Sequence, residues 1–263
     1  MQINKIIETI NNKNRAAFMP FITAGFPSIE KNIEYIKLII ESGADILELG
    51  VPYSDPLADG EVIQNSSKIA LDNGFKIENL FEVIEKIKEF SDIPIVIMTY
   101  LNSVLSYGEV KFSFKLNSLG VNNVIIPDLP MEEKSILEGS FSKNKINLIS
   151  ILAPTSKERT KKIIDNSSGF LYVVSANGTT GETEMNVNIV KETLSDIWLE
   201  ADIPLALGFG ISSAKHIEEF RNHSNGLIVG SAIIKKINEC ERLKSQLPLR
   251  KFINELSLAC FRN

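Results

Sequence analysis

Leu47-Glu48-Leu49-Gly50-Val51-Pro52-Tyr53-Ser54-Asp55-Pro56-Leu57-Ala58-Asp59-Gly60 is the stretch from which the rest of the chain is read. It opens as a short apolar strand with one carboxylate at its centre. It closes as a loop punctuated by proline and glycine that carries two more, Asp55 and Asp59. A carboxylate inside a buried strand is costly unless it is paired, protonated or put to use. Glu48 stands just before the strand stops at Gly50, and that end of a strand is where a parallel α/β barrel keeps its chemistry.

On both sides of this stretch, short Val- and Ile-rich runs alternate with longer amphipathic ones. The short runs, bounded by Gly, Pro, Asn or Asp, read as buried parallel strands. They fall at Phe18–Thr23, Ile46–Leu49, Ile95–Thr99, Asn123–Ile126, Asn147–Ile151, Leu171–Ser175, Leu205–Leu207 and Leu227–Val229, eight in all. Helical patterns lie between them at Lys31–Ser42, Val62–Leu71 with Ile77–Phe90, Glu109–Leu119, Glu132–Lys143, Lys157–Asn166, Val187–Glu200 and Ser213–Arg221. A helix at Gln2–Asn11 is expected to plug the bottom of the barrel, and Ile233–Leu243 and Leu249–Cys260 add two helices after the last strand. Ser28 and Ser212 are placed to cap helices, and Pro94 and Pro204 sit at strand starts, where no ladder donor is needed. Strict β–α alternation predicts the α/β class and a single (β/α)8 TIM barrel, with residues 1–263 as one domain.

Composition narrows the function. A net charge of -5 gives no basic patch, so no nucleic-acid partner is expected. No apolar run approaches the ~20 residues that span a bilayer, and Met1-Gln2-Ile3-Asn4-Lys5 lacks the order of a secretion signal. No membrane association and a cytoplasmic location are expected, or the plastid stroma if the gene is an organelle's, since the Ile-, Lys- and Asn-rich composition fits an AT-rich genome. Cys240 and Cys260 read as reduced thiols without metal-ligand spacing. With His216 and His223 the only histidines, acid–base chemistry falls to carboxylates or tyrosines.

Three glycine clusters, Gly178/Gly181, Gly208-Phe209-Gly210 and Gly230-Ser231, follow the sixth, seventh and eighth predicted strands. In such barrels these loops, with a helix start, commonly hold a phosphate through backbone N–H groups. Glu48 and Asp59 lie eleven positions apart, one on a rigid strand and one on the loop that follows. Burial is expected to raise Glu48 toward the range useful for proton transfer. Asp59-Gly60 and Asp55-Pro56 can equally be turn dipeptides. Tyr172 lies in the sixth strand, Tyr100 ends the third and Asp128 the fourth, while Phe21, Ile63, Met98 and Phe209 are candidates for an apolar pocket wall. Together these features suggest a phosphorylated substrate with a flat hydrophobic part, and a lyase, isomerase or aldolase. No predicted strand ends in the Lys a Schiff-base aldolase would want, which favours acid–base cleavage without a covalent intermediate.

The Leu47–Gly60 segment closely resembles the signature of the tryptophan synthase alpha subunit family. The likeness extends to Met19-Pro20-Phe21-Ile22-Thr23-Ala24-Gly25, Pro127-Asp128-Leu129-Pro130-Met131-Glu132-Glu133, Gly208-Phe209-Gly210-Ile211-Ser212 and Gly230-Ser231-Ala232-Ile233. The resemblance implies a retro-aldol cleavage of indole-3-glycerol phosphate to indole and glyceraldehyde 3-phosphate, with no bound cofactor. It implies that Glu48 is the general acid–base, that Asp59 holds the indole N–H, and that Tyr172 stands near the breaking bond. Gly181, Gly210 and Ser231, with Gly230 beside them, match the phosphate site, and Phe21, Met98 and Phe209 match the flat slot. The implied partner is a pyridoxal-phosphate-dependent beta subunit in an α2β2 assembly, facing the loops that bear Asp55 and Pro130.

The sixth loop departs from the family's usual Ser-Arg-x-Gly-Val-Thr-Gly. Ala176 stands for the Arg and Thr179 for the Val, while Thr180 and Gly181 persist as substrate-binding positions. Glu61 stands where Pro is common after Asp59-Gly60, which is expected to loosen that loop. These changes bear on coupling to the partner rather than on the chemistry. The alternatives are another phosphate-binding barrel such as indole-glycerol-phosphate synthase, a silent subunit that only activates its partner, and a stand-alone lyase that releases free indole.

Overall fold

The computed structural model describes residues 2–153, 157–174, 187–208 and 210–262, and the backbone alone of Lys157. Eight parallel strands close on themselves in sequence order: β1 Ala17–Thr23, β2 Leu47–Gly50, β3 Ile95–Met98, β4 Asn123–Ile125, β5 Asn147–Leu152, β6 Leu171–Val174, β7 Leu205–Gly208 and β8 Gly226–Val229. Each strand was anticipated to within two residues at either end. The barrel closes through β1 against β8, with Phe18 opposite Leu227 and Met19 opposite Ile228.

Alternation along the strands sorts side chains into two cores. Phe18, Ile22, Leu47, Leu49, Ile97, Val124, Leu171, Val173 and Leu207 point outward and pack beneath the surrounding helices. Ala17, Met19, Ile46, Val96, Ile125, Ile149, Tyr172, Ala206 and Ile228 fill the interior. Ile3 and Ile7, on the N-terminal helix Ile3–Asn11, belong to this inner core, so that helix does plug the barrel. The helices Ser231–Leu243 and Leu247–Ala259 each start two residues earlier than the sequence pattern suggests. The second carries Pro248 in its first turn, where the missing N–H costs nothing. Cys240 and Cys260 are buried free thiols. Among the described residues no helix is long and apolar enough to cross a membrane.

Among the described residues, one α-helix lies where the sequence pattern predicts none. After β3 the chain turns directly into a short helix, Leu101–Tyr107, before Gly108 at φ +93° starts Glu109–Ser118. The N-terminus of the short helix is satisfied from a distance, because Leu101 N–H donates to Asp128 Oδ1 at 2.9 Å. A seven-residue helix capped by a carboxylate from the next βα loop has no local sequence signal.

Candidate active site

Leu47 and Leu49 face the helices, so Glu48 between them must face the barrel interior. Its register neighbours are Phe21 on β1 and Val96 on β3. Glu48 is 1% exposed, and neither carboxylate oxygen has a hydrogen-bond partner among the described residues. Burial without a partner disfavours the charged form, and Asp59 nearby adds repulsion, so Glu48 is pushed up to about 8. It is therefore a carboxylic acid at neutral pH.

Asp59 lies at the end of the loop that follows β2. Its N–H donates to Pro56 O at 3.0 Å, forming the turn that the Asp-Gly pair suggests. The turn reading and the functional reading are thus compatible. The side chain is also buried, at 8% exposure, and desolvation raises its pKa to about 6 while a hydrogen bond from Tyr100 acts against the rise. Asp59 is the less buried of the pair and has a donor, so it ionises first and the repulsion falls on Glu48.

In the sequence Tyr100 is marked only by its place at the end of the third strand. Its hydroxyl donates to Asp59 Oδ2 at 3.1 Å and accepts from Ala58 N–H at 3.1 Å. Tyr53 stacks on its ring with centroids 4.9 Å apart. On the other flank, Gln64 Nε2 donates to Asp59 O at 2.8 Å. Gln64 belongs to the helix Glu61–Asp72, which Glu61 itself opens. The loop expected to be loosened by Glu61 is held by these contacts.

Space at the mouth is made by glycines at positions whose side chains would point inward. A Cβ on Gly50 would lie 2.5 Å from Cε2 and Cζ of Phe21, so that ring occupies the room beside Glu48. A Cβ on Gly208 would run into the Tyr172 phenol. Tyr172 is buried and feels the charges of both Glu48 and Asp59, which together with desolvation hold its hydroxyl protonated well above the ordinary range. Met98 is paired in register with Gly50, and a Cβ on Gly230 would lie 3.4 Å from Phe21 Cδ1 and 3.5 Å from Ile63 Cδ1. Gly210 takes a left-handed φ of +78°. Gly230 precedes the helix Ser231–Leu243, with Ser231 in its first turn, so backbone N–H groups and the positive end of a thirteen-residue helix open from β8.

The structure thus brings Phe21, Glu48, Asp59, Met98, Tyr172 and Gly230 to one end of the barrel. Thr180, Gly181 and Phe209 lie outside the described residues, as do Ala176 and Thr179. Among the described residues no group of three or more His, Cys, Asp or Glu side chains is placed to hold a metal ion. Among the described residues to which the sequence gives no role, Gln64 touches the Asp59 carbonyl and Tyr100 touches the Asp59 carboxylate. The only sequence signal for Tyr100 is its position at a strand's C-terminal end, because its partners lie 41 and 42 residues away.

Comparison with known proteins gives the family and agrees with the fold. The family model described as tryptophan synthase alpha chain matches residues 7–257. A tryptophan synthase alpha chain of Clostridium kluyveri is 42% identical over 248 residues, covering 94% of each chain. One from a Thermoanaerobacter species is 41% identical over 259 residues, covering 97% of this chain and 98% of its own. In three dimensions the chain is similar to a chain of Mycobacterium tuberculosis tryptophan synthase, with TM-score 0.91, 29% identity and coverage of 99% and 98%. It is also similar to a tryptophan synthase alpha subunit of Legionella pneumophila, with TM-score 0.90 and 29% identity.

Proposed function

This chain belongs to the tryptophan synthase alpha chain family, lyases that cleave indole-3-glycerol phosphate in tryptophan biosynthesis, and from that premise we propose which residues carry the cleavage. Glu48, uncharged at neutral pH, gives its proton to the indole ring carbon that bears the side chain. The ring becomes cationic, and ionised Asp59 at the indole N–H offsets that charge. Because the charge develops only as the reaction proceeds, a fixed anion stabilises the transition state more than the bound substrate. The carbon–carbon bond then breaks, its electron pair neutralises the ring, and the proton of the adjacent side-chain hydroxyl returns to the Glu48 carboxylate. Indole and glyceraldehyde 3-phosphate result, and Glu48 is again an acid.

Phe21, Met98 and Phe209 hold the flat ring, and Tyr172 stands beside the bond that breaks. Gly181, Gly210, Gly230 and Ser231 bind the phosphate through backbone N–H groups and the helix start, and Thr180 is a further substrate-binding position. The observation that carries this reading is the Glu48 side chain, buried in the barrel interior without a hydrogen-bond partner among the described residues and close enough to the buried Asp59 to feel its charge.

Family membership implies a beta-subunit partner. We place that pyridoxal-phosphate enzyme, in an α2β2 assembly, against the loops bearing Asp55 and Pro130. Both residues are exposed, and Leu57 at the same loop is 78% exposed. We place the chain in the cytoplasm as one domain of residues 1–263, with no membrane association.

The test is indole release from indole-3-glycerol phosphate by the complex with a beta subunit. Glu48→Gln keeps the shape and loses the proton, and is expected to lower kcat by at least about a hundredfold, the scale of positioned acid–base catalysis. Unaltered turnover would remove Glu48 from the mechanism.

A further inference from the structure

Four observations converge on Tyr100. Its hydroxyl accepts from Ala58 N–H and donates to the Asp59 carboxylate, each at 3.1 Å, so one oxygen ties the loop's backbone and its functional side chain to the end of β3. Tyr53, from the start of the same loop, stacks on the Tyr100 ring. The chain just past Tyr100 is itself fixed, since Leu101 N–H is held by Asp128. The Tyr100 side chain is 3% exposed, so the rotamer that makes these contacts is packed in place.

We propose that Tyr100 is a positioning residue for the cleavage: its hydroxyl aims the Asp59 carboxylate at the indole N–H and keeps that carboxylate's second oxygen free for the ring. The proposal rests on the role of Asp59 argued above. A carboxylate on an irregular loop can rotate about two side-chain bonds. One hydrogen bond donated to Oδ2, with a second accepted from the neighbouring Ala58 N–H, removes most of that freedom, leaving Oδ1 as the oxygen that meets the substrate. Misplacement by an ångström or so is enough to cost on the order of a hundredfold in rate. The same donor favours ionised over protonated Asp59, which is the form the developing cation needs. The groups facing Asp59 are Glu48 from β2, Tyr172 from β6 and Tyr100 itself, and Asp128 acts on Tyr100 from the loop after β4.

Tyr100→Phe deletes the hydroxyl and keeps the ring that Tyr53 stacks on. Assayed as the complex with a beta subunit, it is expected to lower kcat about ten- to a hundredfold with a much smaller change in KM. The acid limb of its kcat/KM profile should move to higher pH, a readout that a packing defect would not produce. In an Asp59→Asn background the same change should cost almost nothing, because there is no carboxylate left to aim. A wild-type kcat and acid limb in Tyr100→Phe, beside a crippled Asp59→Asn, would overturn the proposal and leave Asp59 standing. So would an equal loss from Tyr100→Phe in both backgrounds. Wild-type turnover by Asp59→Asn would overturn the role of Asp59 and this proposal with it. Tyr53→Leu, which keeps the hydroxyl and weakens only the stack, should fall between wild type and Tyr100→Phe in kcat.

Discussion

Replacing Glu48 by Gln should stabilise the chain relative to wild type at alkaline pH while it lowers turnover by at least about a hundredfold, and the size of the gain can be worked out. In the folded chain burial pushes Glu48 up to about 8, against an ordinary 4.5. Unfolded, the side chain returns to water and ionises at the ordinary value. Between these limits the folded chain keeps a proton that the unfolded chain gives up. Stability therefore falls as pH rises through that window and levels off above it. At about 1.4 kcal/mol per pH unit the penalty reaches about 5 kcal/mol by pH 9, of which about 2 kcal/mol is already present at pH 6. Gln cannot ionise, so the variant lacks this slope, and all other titrating groups cancel in the comparison. Moving from pH 6 to pH 9, the stability of Glu48→Gln relative to wild type should rise by about 3 kcal/mol. For a chain of this size that is a change of about 6 to 12 °C in the difference between the two melting temperatures. Thermal unfolding followed by circular dichroism at both pH values measures it. Melting curves whose separation does not change with pH would refute the reasoning, because they would mean that the Glu48 carboxyl reaches water in the folded chain.

Two further outcomes follow from the site. The reactive form has Asp59 ionised and Glu48 protonated, so kcat/KM for indole release should be bell-shaped, with an acid limb near about 6 and an alkaline limb near about 8. A profile flat across that range would mean neither group is the one titrating. Gly208→Ala should disable the site without unfolding the barrel, because the new methyl meets the Tyr172 phenol. The expectation is a loss of kcat on the order of ten- to a hundredfold with the far-ultraviolet spectrum retained, and wild-type turnover would show that the phenol has room to move.

The fold was legible because its signals are local. A buried parallel strand announces itself as a Val- and Ile-rich run, and the outward positions of β2 and β3 are Leu47, Leu49, Ile95 and Ile97. The place of Glu48 was equally readable, since alternation alone puts it opposite Leu47 and Leu49. What could not be read is contact across loops. The helix Leu101–Tyr107 depends on Asp128, 27 residues from the N–H it caps. The use of Tyr100 depends on a loop 41 residues earlier. Neither has a periodic or capping signature in its own segment. The sequence did mark Tyr100 and Asp128 as strand-end residues, which is the part of the signal that is local.

The two carboxylates also show why the cost of burying Glu48 is not a defect. Had an Arg or Lys stood beside it, the pair would have been more comfortable and the glutamate would have stayed an anion, unable to protonate anything near neutral pH. Tyr172 cannot play that part, since it is neutral and its own ionisation is pushed further away. An acid at this point has to be made by withholding water and partners, and the interior side chains Phe21 and Val96 beside it in register do that. Asp59 needs the opposite treatment, and it has a donor in Tyr100 and a place on the loop rather than inside the strand. One element of chain therefore sets two like groups to different protonation states by where it puts them. It follows that a hydrogen-bond donor introduced beside Glu48, as in Val96→Asn, should favour its ionised form and bring its pKa down. The alkaline limb of the activity profile would then shift down toward the acid one, narrowing the bell. An alkaline limb that stays in place would mean that it reports some group other than Glu48.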